Sequence, residues 1–379
     1  MKVGVYLGEF APQEGGGHGF VATVLEGLLA AAPSSDHEFI ALCEPGRSLG
    51  NMENHELSRR TAISMGLEVL RSHAPLAYLL RRWPGRVERA ARSRKLDMVW
   101  FVPGIAYEAI DTPYIGTVWD LQHRLHPWFP EVGADGYWEH RELVYARFVR
   151  RAAHLLTGTE VGARQLQAFY GVPRERISVL AQPAPRMAGE GAPPPGISPG
   201  ERFLYYPAQF WAHKNHVNLL HALKLVDGVT LALSGADKGN LAHVRRTAEA
   251  LGVASRVRFL GFVTADEVAW LYRHALALVY PSFNGPDNLP PLEAFTLGCP
   301  VAMAAYPGAE EQAGDAALLF DPRDPASIAR ELRKLCDGAG LREELARRGR
   351  ARAASRTAAA YVAGVLGVLD GFSAVRRCW

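Results

Sequence analysis

The stretch Tyr280–Val301 reads YPSFNGPDNLPPLEAFTLGCPV. The apolar run that ends at Val279 and Tyr280 has the composition of a buried strand, and the Pro/Gly/Asn-rich residues after it form a turn. A helix is expected to open at Pro290–Pro291, with Glu293 in its first turn. Backbone N–H groups at such a start, around Asn288 and Leu289, have no intrahelical partner, and the positive end of the helix dipole lies there. The turn therefore attracts an anion such as phosphate, while a fixed carboxylate beside it accepts hydrogen bonds from sugar hydroxyls. Read together, these residues describe a pocket for a nucleotide-sugar.

The segment resembles the donor-site signature of retaining glycosyltransferase family 4, the glycosyl transferases group 1. Three further segments stand in the order that family shows: Thr117–His123 (TVWDLQH), Thr157–Pro183 (TGTEVGARQLQAFYGVPRERISVLAQP) and Tyr205–His216 (YYPAQFWAHKNH). The resemblance covers nearly the whole chain. It implies an α/β protein of GT-B fold, with two Rossmann-like doubly wound domains facing across a cleft, the acceptor on the first and the donor on the second.

The totals agree with two domains. At 379 residues the chain exceeds an ordinary single domain. Short β-branched runs alternate with helical periods in both halves, the pattern of doubly wound α/β sheets. The Pro/Gly-rich residues 184–200 cannot pair in a sheet and read as a linker between residues 1–183 and 201–356. In the family a terminal helix, here within 357–379, returns to the first domain. At 48% hydrophobic and 21% charged the composition is that of a soluble globular protein, and no apolar run approaches the roughly 20 residues of a membrane span. The N-terminus MKVGVYLGEF runs straight into a strand pattern without the regions of a signal peptide, so a cytoplasmic location is expected. Four scattered cysteines form neither a disulfide framework nor a zinc site.

A net charge of +3 is a weak global signal, but its distribution is informative. Between Arg59 and Lys95 ten arginines and lysines interleave with Leu67, Leu70, Leu76, Tyr78, Leu79, Leu80 and Trp83. Such a mixture suits peripheral contact with the inner face of an anionic membrane. The arginines of 342–352 read instead as a solvated helix face, and no nucleic-acid partner is expected.

Lys214, in His213-Lys214-Asn215-His216, follows a strand at the mouth of a helix. A compact cation there can neutralise a leaving nucleoside diphosphate, the catalytic role the resemblance assigns it; the alternative is a solvated surface lysine. Many family members carry an arginine five residues earlier, where this chain has Gln209, an uncharged hydrogen-bond donor for phosphate. The resemblance gives Glu293 the ribose hydroxyls and expects a first glutamate eight positions before it, where Gly285 stands. Asp287 or Asn288 is the candidate substitute. Gly16 and Gly17, in a Gly15–Gly19 loop expected to precede a helix starting at Phe20, are candidates to approach the donor diphosphate with bare backbone. Asp120 and His123 are candidate substrate contacts at a sheet's carboxyl edge, against the alternative of loop hydrogen bonds.

These residues describe a hexosyltransferase taking its sugar from a GDP-, UDP- or dTDP-linked donor, with mannose or a rhamnose-like hexose favoured. The acceptor is a hydroxyl of a glycan or lipid-linked chain in cell-surface polysaccharide synthesis. No cofactor is expected, and with no Asp-x-Asp triplet, no metal. Two rivals stand beside this reading. A catalytically inactive nucleotide-binding relative is suggested by Gln209 and Gly285. An NAD-dependent oxidoreductase is disfavoured because Phe20 occupies the third glycine position of a dinucleotide fingerprint.

Overall fold

The computed structural model describes residues 1–8, 16–49, 51–71, 83–104, 110–187, 189–198 and 200–378, the side chains of 68, 69 and 71 excepted. The chain divides into two compact units. Unit one comprises Met1–Pro127, Val132–Pro183 and Thr357–Trp379, and unit two comprises Trp128–Glu131 and Ala184–Arg356.

Unit one carries β1 (Lys2–Tyr6), β2 (Glu38–Cys43), β3 (Glu53–Glu56), β4 (Met98–Gly104), β5 (Tyr114–Thr117), β6 (His154–Thr157) and β7 (Ile177–Val179). They form one parallel sheet in the order β3-β2-β1-β4-β5-β6-β7. Its longer helices are α1 (Gly16–Ala31), α2 (Ala62–Arg71), α3 (Arg86–Arg94), α4 (Tyr137–Arg151) and α5 (Glu160–Tyr170). The central strands are apolar along their length because helices bury both faces of such a sheet. Strand β3, Glu53-Asn54-His55-Glu56, shows no apolar face and was not anticipated; it lies at the sheet edge, paired with β2 alone.

Unit two repeats the plan with β8 (Phe203–Pro207), β9 (Thr230–Ser234), β10 (Val257–Gly261), β11 (Ala277–Tyr280), β12 (Val301–Ala304) and β13 (Ala317–Phe320). Their order is β10-β9-β8-β11-β12-β13, again parallel. Helices α6 (His216–Lys224), α7 (Leu241–Ala250), α8 (Ala265–His274), α9 (Leu289–Leu297), α10 (Pro325–Asp337) and α11 (Ala339–Ala354) connect or follow the strands. The strand order reverses between β8 and β11, the switch point where open α/β sheets bind ligands. The residues read as a linker are not a bare tether. The Ala184 N–H donates to the Arg356 carbonyl at 2.8 Å, Arg273 bonds the Gly189 carbonyl, and Ile197 is buried.

The last helix, α12 (Ala358–Arg376), packs in unit one against α1. Tyr361 meets Phe20 edge-on at 5.6 Å, and Val362, Val365 and Leu369 are buried. Within Ala339–Arg376 an 18-residue window is apolar enough to pass for a membrane span by composition, contrary to the expectation that no run approaches that length. Only 22% of that window is buried, so the face packed in unit one accounts for part of its apolarity. The two backbones approach closely at Gly27, where a Cβ would stand 2.9 Å from the Ala358 Cβ and carbonyl oxygen. Gly27→Val should therefore destabilise unit one by about 1–3 kcal/mol, read as a lowered midpoint in denaturant unfolding. An unchanged midpoint would show that the helices part without cost.

Candidate functional site

At the carboxyl edge of unit two the chain leaves β8 through a short turn, Ala212–Lys214, into α6. Asn215 adopts the left-handed conformation (φ 60°) that ends the turn, and its side-chain amide donates to the carbonyls of Pro281 at 2.9 Å and Pro322 at 2.8 Å. The Tyr206 hydroxyl holds the Lys214 carbonyl at 2.8 Å. The backbone of Lys214 is thus fixed while its side chain points to the neighbouring strand. Lys214 Nζ donates to the Tyr280 hydroxyl at 3.2 Å, and that hydroxyl donates to Asn288 Oδ1 at 2.9 Å. No carboxylate among the described residues pairs with this ammonium, which retains donors for an anion.

Helix α9 opens at Leu289, one residue earlier than expected, so Pro290 and Pro291 both lie in its first turn and Glu293 lies beyond it. Two prolines remove two of the unpaired N–H groups, leaving those of Asn288 and Leu289 as the donors of this helix start. The Leu289 side chain is buried, so only its backbone can serve. Glu293 is half-buried; burial raises its carboxyl above the ordinary range, opposed by the hydrogen bond that Tyr272 donates to Oε2 at 2.8 Å. Oε1 takes no hydrogen bond from a described residue.

The two proposed stand-ins for the missing glutamate part company. Asp287 is buried in an ion pair: Arg356 Nη1 donates to both carboxylate oxygens at 3.0 Å, with side-chain exposures of 6% for Arg356 and 1% for Asp287. Arg356 Nη2 also reaches the carbonyls of Glu311 and Gln312, so Asp287 is a structural anchor of the loop, a correction to its assignment as a donor contact. Asn288 instead occupies the space of the missing side chain. Gly285 has φ +126°, and a Cβ there would lie 2.1 Å from Asn288 Oδ1. The Asn288 amide bonds the Gly285 carbonyl, and Gln312 bonds the Asn288 carbonyl. Gln209 lies half-buried after β8, with Oε1 accepting from Trp211 Nε1 at 2.9 Å.

In unit one the structure corrects two expectations. His123 is wholly buried and cannot meet a substrate; its Nε2 lies 3.0 Å from both Glu142 and the Tyr170 hydroxyl. Burial, with Arg141 nearby, pushes its pKa down to about 4 against the pull of Glu142. The glycine run is not a loop before the helix: Gly16 and Gly17 lie in the first turn of α1, whereas Gly15 falls outside the described residues. Asp120 accepts from the Gln122 N–H at 2.8 Å and pairs with Arg141 at 2.9 Å, the bonding of a structural loop residue. Of the basic stretch from Arg59 to Lys95, residues 72–82 lie outside the described residues. Arg86, Arg92 and Arg94 pair with Glu44, Glu88 and Glu53, which removes part of the free charge counted from sequence. Ile63, Met65, Leu70 and Trp83 are exposed.

Sequence reasoning missed Tyr206, Tyr280, Glu131 and Arg356. Tyr206 and Tyr280 read as strand residues, and only their position at strand ends marks their hydroxyls as site groups. Glu131 and Arg356 act across 82 and 69 residues of sequence, beyond any local pattern.

Residues 192–352, all within unit two, match the family model described as glycosyl transferases group 1. The chain is 38% identical over 129 residues, 32% of this chain and 27% of the relative, to the D-inositol 3-phosphate glycosyltransferase of Salinispora tropica. It is 36% identical over 97 residues, 26% of each chain, to the O-antigen chain mannosyltransferase B of Escherichia coli. The chain thus spans about a quarter of these curated relatives. Anabaena HepE, solved in complex with UDP-glucose, superposes with a TM-score of 0.67 at 16% identity over 98% of this chain and 100% of that one, which identifies the fold as GT-B.

The Arg356 clamp gives a direct test of the Asp287 correction. Asp287→Ala strands a buried guanidinium and should cost about 3–5 kcal/mol, measured by denaturant unfolding. A variant of undiminished stability that lost only ligand affinity would return Asp287 to the binding surface.

Proposed function

We propose that this chain is a retaining glycosyltransferase that moves a hexose from a nucleoside-diphosphate donor to a hydroxyl of a glycan or lipid-linked acceptor. The observation that carries the reading is the ammonium of Lys214, held at the switch point of unit two and directed to the loop that opens α9. Positive charge there stabilises the diphosphate as the glycosidic bond breaks, without reorganisation at the moment of reaction. The N–H groups of Asn288 and Leu289 add donors for the same oxygens. Glu293 Oε1 is placed to accept from ribose hydroxyls while Tyr272 holds Oε2. Gln209 offers a neutral donor, and Gly16 and Gly17 present the bare amides of a helix start in unit one. The group 1 family match over residues 192–352 supports glycosyl transfer. The mannosyltransferase relative supports a mannose-like hexose and a place in cell-surface polysaccharide synthesis. The UDP-glucose complex of HepE supports a nucleotide-sugar as donor.

A second reading, a nucleotide-binding relative without turnover, is favoured by the neutral Gln209 and by the Asn288 amide standing over Gly285. Release of nucleoside diphosphate from a panel of GDP-, UDP- and dTDP-sugars separates the two. Lys214→Ala should lower turnover by about 10²–10³ with the circular dichroism spectrum unchanged. Glu293→Ala should weaken nucleotide binding by calorimetry. Normal turnover in the first variant, or wild-type affinity in the second, would overturn the respective role.

Peripheral membrane attachment on the cytoplasmic side belongs to the same proposal. Its support is the exposed Ile63, Met65, Leu70 and Trp83 beside exposed Arg59, Arg89 and Lys95. The chain should sediment with vesicles containing anionic lipid at low salt and be released as salt rises. Failure to sediment at low salt would reject attachment.

A further inference from the structure

The four residues Trp128–Glu131 belong to unit two although the sequence on either side belongs to unit one. Phe129 and Glu131 help to seat them. The Phe129 ring stacks on Phe283 at 5.7 Å and 29°, and its edge meets His213 at 6.1 Å. Glu131 Oε1 accepts two hydrogen bonds from one residue, the His213 backbone N–H at 2.9 Å and ring Nδ1 at 2.6 Å. Both side chains are nearly buried, with 10% of His213 and 8% of Glu131 exposed. Burial works against the charge of Glu131, but the bonds from His213 outweigh it and hold the carboxyl below its ordinary range. An ionised carboxylate accepts and cannot donate, so Nδ1 must carry its proton.

His213 immediately precedes Lys214 in the turn between β8 and α6. Its carbonyl accepts from the Phe283 N–H at 3.0 Å, tying the turn to the loop after β11. The carboxyl side of Lys214 is fixed by Asn215, and its own carbonyl by Tyr206. On the amino side the donors of His213 are met by Glu131, and Glu131 comes from 82 residues away in sequence. We infer that Glu131 is a positioning residue for the diphosphate site: by fixing His213 from both its backbone and its ring, it sets where the Lys214 ammonium is presented. The inference rests on the proposed role of Lys214 and adds a residue that does not itself touch the donor.

A double-mutant cycle on the full chain tests it, with UDP, GDP and dTDP as calorimetric probes and the tightest retained. Glu131→Ala should weaken that nucleotide about tenfold at unchanged circular dichroism. Glu131→Gln keeps the Oε1 acceptor for both N–H groups and should restore most of the loss. In the Lys214→Ala background, Glu131→Ala should add less than twofold, because residues acting through one another are not additive. In spectra of ¹⁵N-histidine-labelled protein, one hydrogen-bonded Nδ1–H resonance should vanish in Glu131→Ala and persist in Glu131→Gln. Additive losses, wild-type affinity in Glu131→Ala, or failure of Glu131→Gln to recover would each overturn the positioning role while leaving Lys214 in place. An unchanged affinity in Lys214→Ala would instead overturn the anion-site reading, and this inference with it.

Discussion

The pairing of β8 with β11 decides where chemistry can occur in unit two. These strands are neighbours in space with two other strands between them in sequence, registered through Ala277 with Leu204 and Leu278 with Tyr205. Because the strand order reverses here, the segments leaving their carboxyl ends run apart and open a crevice. Both are followed by helices, α6 and α9, whose positive dipole ends lie toward that crevice. The hydrogen-bond path from Lys214 through the Tyr280 hydroxyl to Asn288 spans the two strand ends. Without that pairing, the lysine and the loop have no reason to meet.

The loop after β11 is held from several directions before any ligand arrives. The Arg356–Asp287 pair anchors it beneath the surface, Gln312 takes its last carbonyl, and the Asn288 amide closes over Gly285. A loop fixed in this way loses little conformational freedom when a donor binds, so less of the binding energy goes to ordering it. Buried charge here serves geometry. An ion pair as enclosed as Asp287–Arg356 adds little net stability over an apolar pair, yet losing one partner is costly, which makes the loop position hard to disturb.

Most of the architecture was legible because it rests on local signals. Thr264 with Glu267 forms a capping box at the start of α8, Val301–Ala304 is a buried strand where an apolar run stood, and Ala317–Phe320 is a partly buried one. Strand β3 was hidden because an edge strand need not be apolar. At the site, Lys214 and the α9 start could be located from the residues around them. The fate of each side chain could not, since this depends on partners far along the chain. Asp287 and Asn288 are adjacent and chemically similar, yet one faces a buried arginine and the other a tyrosine hydroxyl. His123 looked like a loop residue at a sheet edge, and only packing against Tyr145, Trp138 and Tyr170 shows it to be interior.

The units are compact but discontinuous, which constrains how such a chain can change by recombination. A crossover at Pro183–Ala184 looks like a clean seam, with one parallel sheet on either side. It would nonetheless separate Glu131 from His213, and α12 from α1, because each pair is encoded on opposite sides of that seam. A chimera of two relatives would inherit a brace shaped for one turn and a turn shaped for another brace. The unit of inheritance in this molecule is therefore larger than either fold it contains.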